Sequence, residues 1–173
     1  MEIRKGTIAD AEMLSEIGTL SFIESHGLSG PQADIEAYAK KYFTPESFEA
    51  ELKEPSNVYY IIFCEGKPAG YSKIIFNSPH FNVPESRVTK LERLYLLKEF
   101  YGRNLGAELF NFNLNLSKEA GEKGLWLYVW KGNDRAIRFY QKQGFEIVGS
   151  HDFKISETHH NPNHQMFLKF QPQ

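Results

Sequence analysis

Cysteine is almost absent from this 173-residue chain: Cys64 is the only one, so no internal disulfide can form. Long apolar runs are absent too. No stretch approaches the roughly 20 apolar residues that a membrane helix needs. Met1 to Asp10 lack the roughly 7–15-residue apolar centre of a secretory signal. Excess charge of one sign is also missing. Twenty Lys and Arg stand against 22 Asp and Glu, a formal net charge of −2, which gives no general basis for binding nucleic acid. Internal repeats, low-complexity tracts and a linker that would split the chain are all lacking. Together these absences predict a soluble, cytoplasmic protein with one domain over residues 1–173.

Enough apolar material is present to build a core. Hydrophobic residues make up 41% and charged residues 24%, a balance that excludes a disordered chain. A chain of this length should bury roughly 70% of its unfolded surface. The charge is unevenly spread. Residues 21–54 hold seven carboxylates against three lysines, and residues 100–145 hold seven bases against four acids. The first run suits a cationic partner and the second a polyanion, unless both are solvated helix faces.

Periodicity gives a coarse map. Glu2 to Arg4 reads as a short strand. Thr7 and Asp10 form a Thr-x-x-Asp start for a helix striped by Ala11, Leu14, Ile17, Leu20 and Ile23. Residues 32–43 and 45–54 read as two more helices, split at Thr44-Pro45. Their aromatics, with Phe22, are mostly core, and one or two of them can line a pocket. Val58–Phe63 and Ala69–Phe76 make a hairpin around Glu65-Gly66-Lys67-Pro68, and Cys64 is a strand-end thiol. Asn77 to Ser86 is a loop and Val88 to Leu97 a third long strand. A helix follows over 105–120, with Leu105, Leu109, Phe112 and Leu116 inward. Then come a strand at Leu125–Val129, a helix at 134–143, a strand at 145–153, a polar loop from His159 to His164 and a last strand at Met166–Phe170. The fold class is mixed α/β, one mostly antiparallel sheet flanked by helices.

Three constellations carry chemistry. In residues 133–145, Asn133 follows a buried strand and can cap the next helix, and Gly144 stops that helix. Tyr140, late on the helix, is either core or a proton donor into a cleft. In residues 94–107, a glycine-bearing loop runs from a strand into a helix, so unpaired N–H groups converge on one spot. That spot is a phosphate site or an ordinary turn. Third, alternation puts Glu92 on the face of Leu94 and Leu96, where apolar neighbours favour a general base near neutral pH. An ion pair with a neighbouring base is the other reading. His159, His160 and His164 do not make a metal site, because Asn161-Pro162-Asn163 breaks any helix that would align them.

The stretch Asn-Asp-Arg-Ala-Ile-Arg-Phe-Tyr-Gln-Lys-Gln-Gly-Phe (133–145) resembles motif B of the GCN5-related N-acetyltransferases, the GNAT superfamily. One strand and one helix earlier, residues 101–106 are similar to motif A, of the form Gln/Arg-x-x-Gly-x-Gly/Ala. Tyr101 stands at the Gln/Arg position, Asn104 at the first Gly and Gly106 at the second. Two of these three positions depart from the family pattern, and Asn is the best substitute for Gly where φ must be positive. Leu91–Leu96, Leu125–Trp130 and Gly144–Phe153 look like the PaiA-type spermidine/spermine acetyltransferases, a likeness that extends along the chain.

The resemblance implies a GNAT-like domain that moves acetyl from acetyl-CoA to an amine, with no metal. It implies that Leu94, Tyr95 and Leu96 hold the pantetheine arm. Tyr101, Gly102, Arg103, Asn104, Leu105, Gly106 and Ala107 would cradle the pyrophosphate, and Asn133 would contact the CoA arm. Tyr140 would be the general acid and Glu92 the base. A small-molecule amine, foremost a polyamine, is the implied acceptor, with a protein N-terminus, an amino acid or an antibiotic as alternatives. A homodimer is a partner state that the family allows. The rivals from other classes are an acyl-CoA-binding module without turnover and a plain scaffold.

Overall fold

A computed structural model of the chain describes residues 1–172. It contains seven strands and five α-helices: β1 (Glu2–Lys5), α1 (Ala11–His26), α2 (Gln32–Tyr42), α3 (Pro45–Lys53), β2 (Asn57–Cys64), β3 (Lys67–Ile75), β4 (Thr89–Leu96), α4 (Leu105–Glu119), β5 (Gly124–Trp130), α5 (Asp134–Lys142), β6 (Glu146–Lys154) and β7 (His160–Lys169). The strands form one sheet in the order β1-β2-β3-β4-β5-β7-β6. It is mostly antiparallel. The parallel step is β4 to β5, in register at Thr89–Leu125 and Lys90–Trp126. The mixed α/β class expected from the sequence is the one observed.

By its internal contacts the chain divides into two compact units. The first comprises Met1–Ile74 and Arg93–Asn113. Its helices start where the sequence puts caps. The Asp10 carboxylate accepts from the Thr7 N–H at 2.8 Å and pairs with Arg4 at 2.7 Å. Thr44 Oγ1 accepts from the Ser47 N–H at 3.1 Å, with Pro45 opening α3. The core gathers Leu14, Ile17, Ile35, Phe43 and Phe48 from the helices with Tyr59, Ile61 and Tyr71 from the sheet. Helix α1 can come this close because Gly18 faces rings: a Cβ there would stand 2.8 Å from Phe43 and 2.9 Å from Phe48. The β2–β3 turn is tighter than expected. Glu65 (φ 52°) and Gly66 (φ 76°) alone make it, so Lys67 and Pro68 already belong to β3.

The second unit comprises Ile75–Glu92 and the chain from Leu114 onward. Val83, Val88, Trp126 and Phe167 form its buried centre, with Tyr128 and Val148 against them. Here the sequence misleads at β7. Residues 160–164, expected as loop, are the first half of β7, paired to β5 and β6 on its two sides. Asn161, Asn163 and Gln165 are buried, so the polar pattern hides a central strand. Pro162 fits because its carbonyl accepts from the Lys131 N–H at 2.9 Å, a bond that needs no donor from proline. Helix α4 shows a second departure. Leu109 and Phe110 are buried with Asn113 and Ser117, whereas Phe112 and Leu116 are only half-buried. Its inner stripe turns polar, and Asn113 Nδ2 meets Ser72 Oγ at 2.8 Å.

Strands β3 and β4 come close at Gly70, where a Cβ would stand 2.3 Å from the Tyr95 carbonyl oxygen. Gly70→Ala should therefore cost at least about 2 kcal/mol, because the obstacle is backbone that cannot turn aside. Urea denaturation of the variant checks it.

Candidate active site

The residues singled out by the sequence fall in both units. In the first, Leu94, Tyr95 and Leu96 end β4, and the Leu97 N–H bonds the Ala69 carbonyl at 2.9 Å. A short 3-10 turn, Lys98–Phe100, follows and buries Phe100. The Glu24 carboxylate of α1 accepts from the Lys98 N–H at 2.7 Å. The chain then reverses through two left-handed residues, Gly102 (φ 80°) and Asn104 (φ 62°), into α4. Asparagine thus takes a left-handed conformation that ordinarily favours glycine. The Glu108 N–H bonds the Asn104 carbonyl at 3.1 Å. The N–H groups of Leu105, Gly106 and Ala107 precede the first residue that can reach back four positions, so the helix itself offers them no acceptor. Gly106 is fitted to its place: a Cβ there would lie 3.2 Å from Leu96 Cδ1. Tyr101 is half-buried, and its N–H bonds the Lys98 carbonyl at 3.1 Å. Arg103 lies 3.7 Å from Glu65 and 5.7 Å from the Phe100 ring centroid, with about half of its side chain exposed. Cys64 is a free strand-end thiol with its sulfur 3.7 Å from Arg103 Nη1.

In the second unit, Asn133 caps α5. Its Oδ1 accepts from the Ala136 N–H at 3.1 Å, which leaves the Nδ2 protons outside the cap. At the other end the helix closes in a Schellman motif. Phe145 N–H reaches the Tyr140 carbonyl at 3.1 Å, and Gly144 N–H, at φ 99°, reaches that of Gln141 at 3.0 Å. The hydrophobic contact that accompanies this motif is the Tyr140 ring on Phe145, centroids 5.3 Å apart. Tyr140 is therefore buried and held at both backbone and ring.

Glu92 is half-buried, with Lys90 Nζ 3.8 Å from its carboxylate. Its expected place on the face of Leu94 and Leu96 does not hold. Thr89 Oγ1 lies 2.5 Å from Ser117 of α4, and Leu96 abuts Gly106 of the same helix. Seven residues apart, these two would face opposite ways in a strictly alternating strand. The alternation slips once within β4, and Glu92 goes with Lys90 rather than with Leu96.

The sequence reading missed a buried ionic cluster beside Leu94. Arg93 bonds Glu51 of α3 at 3.2 Å and 3.3 Å and the Tyr59 hydroxyl at 3.2 Å, while Lys73 of β3 reaches the same carboxylate at 3.1 Å. The Tyr59 hydroxyl donates a short hydrogen bond to Glu51. Arg93 also stands over Phe43 and Phe48, 5.1 and 5.6 Å from their centroids. Burial opposes the Glu51 charge, but Arg93, Tyr59 and Lys73 hold its pKa below the usual carboxylate value. The Arg93 proton is held more tightly than in water: burial opposes it, and Tyr71, Tyr59 and Glu51 outweigh that burial. The fully buried Tyr71 hydroxyl makes no hydrogen bond of ordinary geometry, although the Arg93 charge lies close to it. These residues lie more than thirty positions apart in places, and no local motif marks them. The one available signal was period two on β4, which sets Arg93 and Tyr95 together.

His26 ends α1, stacked on Phe22 at 4.5 Å and edge-on to Tyr95 at 6.1 Å. Burial lowers its pKa from 6.5 to about 4, against a weaker opposing bond to the Phe22 carbonyl. Among the described residues no group of three or more His, Cys, Asp or Glu is arranged to hold a metal ion. No described helix is long and apolar enough to cross a membrane.

The family model described as the acetyltransferase (GNAT) family matches residues 22–145. The chain belongs to the GNAT acetyltransferase family. It is an acetyl-CoA-dependent N-acetyltransferase, with acetyl-CoA as cosubstrate. GNAT relatives include an uncharacterised N-acetyltransferase of Lactobacillus delbrueckii subsp. lactis, 27% identical over 79% of each chain. Another is the spermidine N(1)-acetyltransferase of Thermoplasma acidophilum, 27% identical over 85% of this chain and 89% of that one. Solved structures share the fold, two among them at high coverage. The PaiA N-acetyltransferase of T. acidophilum, in complex with coenzyme A, superposes with a TM-score of 0.77 at 23% identity, covering 98% of each chain. A GCN5-related N-acetyltransferase of Rhodopseudomonas palustris gives 0.76 at 19% identity, covering 98% and 95%.

Two outcomes are expected of this GNAT protein. Glu51→Gln leaves Arg93 and Lys73 without their counter-charge and should cost about 2–4 kcal/mol in urea denaturation at pH 7. For His26 the unfolded chain binds the proton more readily than the folded one. Stability is then full above pH 6.5 and falls as the pH drops toward 4, by up to about 3 kcal/mol. Denaturation at pH 7 and pH 4.5 should show this loss in the wild type and a smaller loss in His26→Phe.

Proposed function

We propose that the protein transfers acetyl from acetyl-CoA to a primary amine of a small molecule, a polyamine such as spermidine before others. The observation that carries the cosubstrate half is the left-handed turn at Gly102 and Asn104, which opens α4. It leaves the N–H groups of Leu105, Gly106 and Ala107 for pyrophosphate oxygens, helped by the helix dipole. Arg103 adds a positive charge to the same loop. The motif B role of Asn133 fits an amide whose Oδ1 is spent on the cap and whose Nδ2 remains to donate.

The mechanism is direct attack in a ternary complex. Leu94, Tyr95 and Leu96 hydrogen-bond the pantetheine arm as an added strand would, and a backbone N–H there, that of Leu96, polarises the thioester carbonyl. Glu92, alone or through water, takes the proton of the acceptor ammonium, whose reference pKa is about 10.4 for a lysine-like group. The amine nitrogen bonds to the acetyl carbon, the carbon–sulfur bond breaks, and Tyr140 gives its proton to the departing thiolate. The polyamine half rests on the spermidine N(1)-acetyltransferase relative and on the acid-rich residues 21–54. Part of that acidity is spent within the fold, since Glu51, Glu24 and Glu49 serve Arg93, Lys98 and Lys53.

Thiol release from acetyl-CoA, with spermidine against a no-acceptor blank, tests the reading. Release that needs spermidine supports it; release only with other amines rejects the polyamine and keeps the transferase. Tyr140→Phe retains the ring on Phe145 and removes the acid. It should lower kcat by about 10²–10⁴ with acetyl-CoA affinity unchanged. An unaltered kcat would remove Tyr140 from the mechanism.

A further inference from the structure

The second unit already holds an ammonium ion, and the group that supplies it is Lys90. Its Nζ stands 5.1 Å from the Trp126 ring centroid, 5.4 Å from that of Tyr128 and 3.8 Å from Glu92 Oε2. Two π faces and one carboxylate around a single nitrogen are the components by which proteins recognise ammonium groups. Both rings are fixed by bonds that do not involve Lys90. The indole N–H of Trp126 donates to the Ser78 carbonyl at 2.7 Å. The Tyr128 hydroxyl lies 3.4 Å from His80 Nε2. His80 Nδ1 accepts from the Asn82 N–H at 3.2 Å, which holds the ring with Nε2 toward Tyr128. His151 and Phe153 flank Tyr128, each at 5.4 Å.

Lys90, by contrast, is a long flexible stem with 23% of its side chain exposed. It can swing its charge out into water, giving up its contacts with the rings and the carboxylate. Its departure would uncover the rings and take its charge away from Glu92. The geometry points to a cation-recognition site made by Trp126, Tyr128 and Glu92, in which Lys90 is a tethered occupant that the acceptor's primary ammonium displaces. This rests on the amine-acceptor reading above and deepens it: an ammonium seated there lies against the carboxylate proposed to deprotonate it. Lys90 is then a specificity-determining residue that weakens the binding of every cationic acceptor by competing with it.

Calorimetric titration with spermidine, run without acetyl-CoA, tests the site independently of turnover. Lys90→Ala should tighten spermidine binding about three- to tenfold, the size of one exposed cation–π contact. Lys90→Arg, which restores a tethered cation, should return it to the wild-type value. Tyr128→Leu in the Lys90→Ala background should abolish the gain. Unchanged or weaker binding by a Lys90→Ala protein of wild-type Tm would overturn the inference, as would no binding to either protein. Lys90→Gln serves as a second neutral variant if the alanine protein does not fold. Tightened binding without thiol release from any amine would leave the site standing and remove the acetyltransferase reading instead. Thiol release with wild-type binding in Lys90→Ala would do the reverse.

Discussion

A guanidinium taken out of water needs its carboxylate, and in the first unit that requirement organises what lies around it. Arg93 draws Glu51 from α3, the Tyr59 hydroxyl from β2 and the rings of Phe43 and Phe48 into one cluster. Such a pair is weak evidence for net stability, because desolvation offsets much of its attraction. Its value is directional. Arg93 can face Glu51 in one rotation of β4 only, and that rotation sends Leu96 to the other side, against Gly106 at the start of α4. The ionic cluster thereby sets the orientation of the strand and loop that carry the motif A residues.

The second unit solves the same problem of positioning with hydrogen bonds and rings. Tyr140 is fixed by the Schellman closure of α5, where one glycine lets the chain turn back and lay Phe145 against the tyrosine ring. Helix α4 ends in the same way. Gly121, at φ 76°, lets the Glu122 N–H reach the Ser117 carbonyl at 3.1 Å, and the buried Glu122 carboxylate then accepts from the Asn77 N–H at 3.0 Å. A buried acid with a backbone donor ties the loop before β4 to the turn after α4. Ser117, Thr89 and Glu122 form the polar centre that displaced Leu116 from the inner face.

What could be read in the sequence was what short-range geometry determines. Thr7–Asp10, Thr44-Pro45, Asn133 and Gly144 each specify a local bond or a backbone angle, and each capping or stop expectation was met. Asn104 belongs with them, because the preference of asparagine for positive φ is a property of one residue. Illegible were features in which distant polar residues satisfy one another. Asn161, Asn163 and Gln165 look like loop because each is polar, yet β7 is central. Glu51 and Arg93 look like surface charges because their partners are 42 positions apart. The slip in β4 escaped as well, since strict alternation is an assumption that one extra residue defeats.

The aromatic surroundings of Lys90 bear on how an amine would be chosen. A carboxylate-lined groove attracts any cation, and attraction alone selects poorly among amines. A site that holds its own ammonium imposes a threshold. An incoming cation must supply at least what Lys90 already gains from Trp126, Tyr128 and Glu92, and a lone ammonium supplies about the same. The surplus has to come from elsewhere on the ligand, from a second charge or an apolar stem. Discrimination then falls on the part of the acceptor that does not react, which is where polyamines differ from simpler amines.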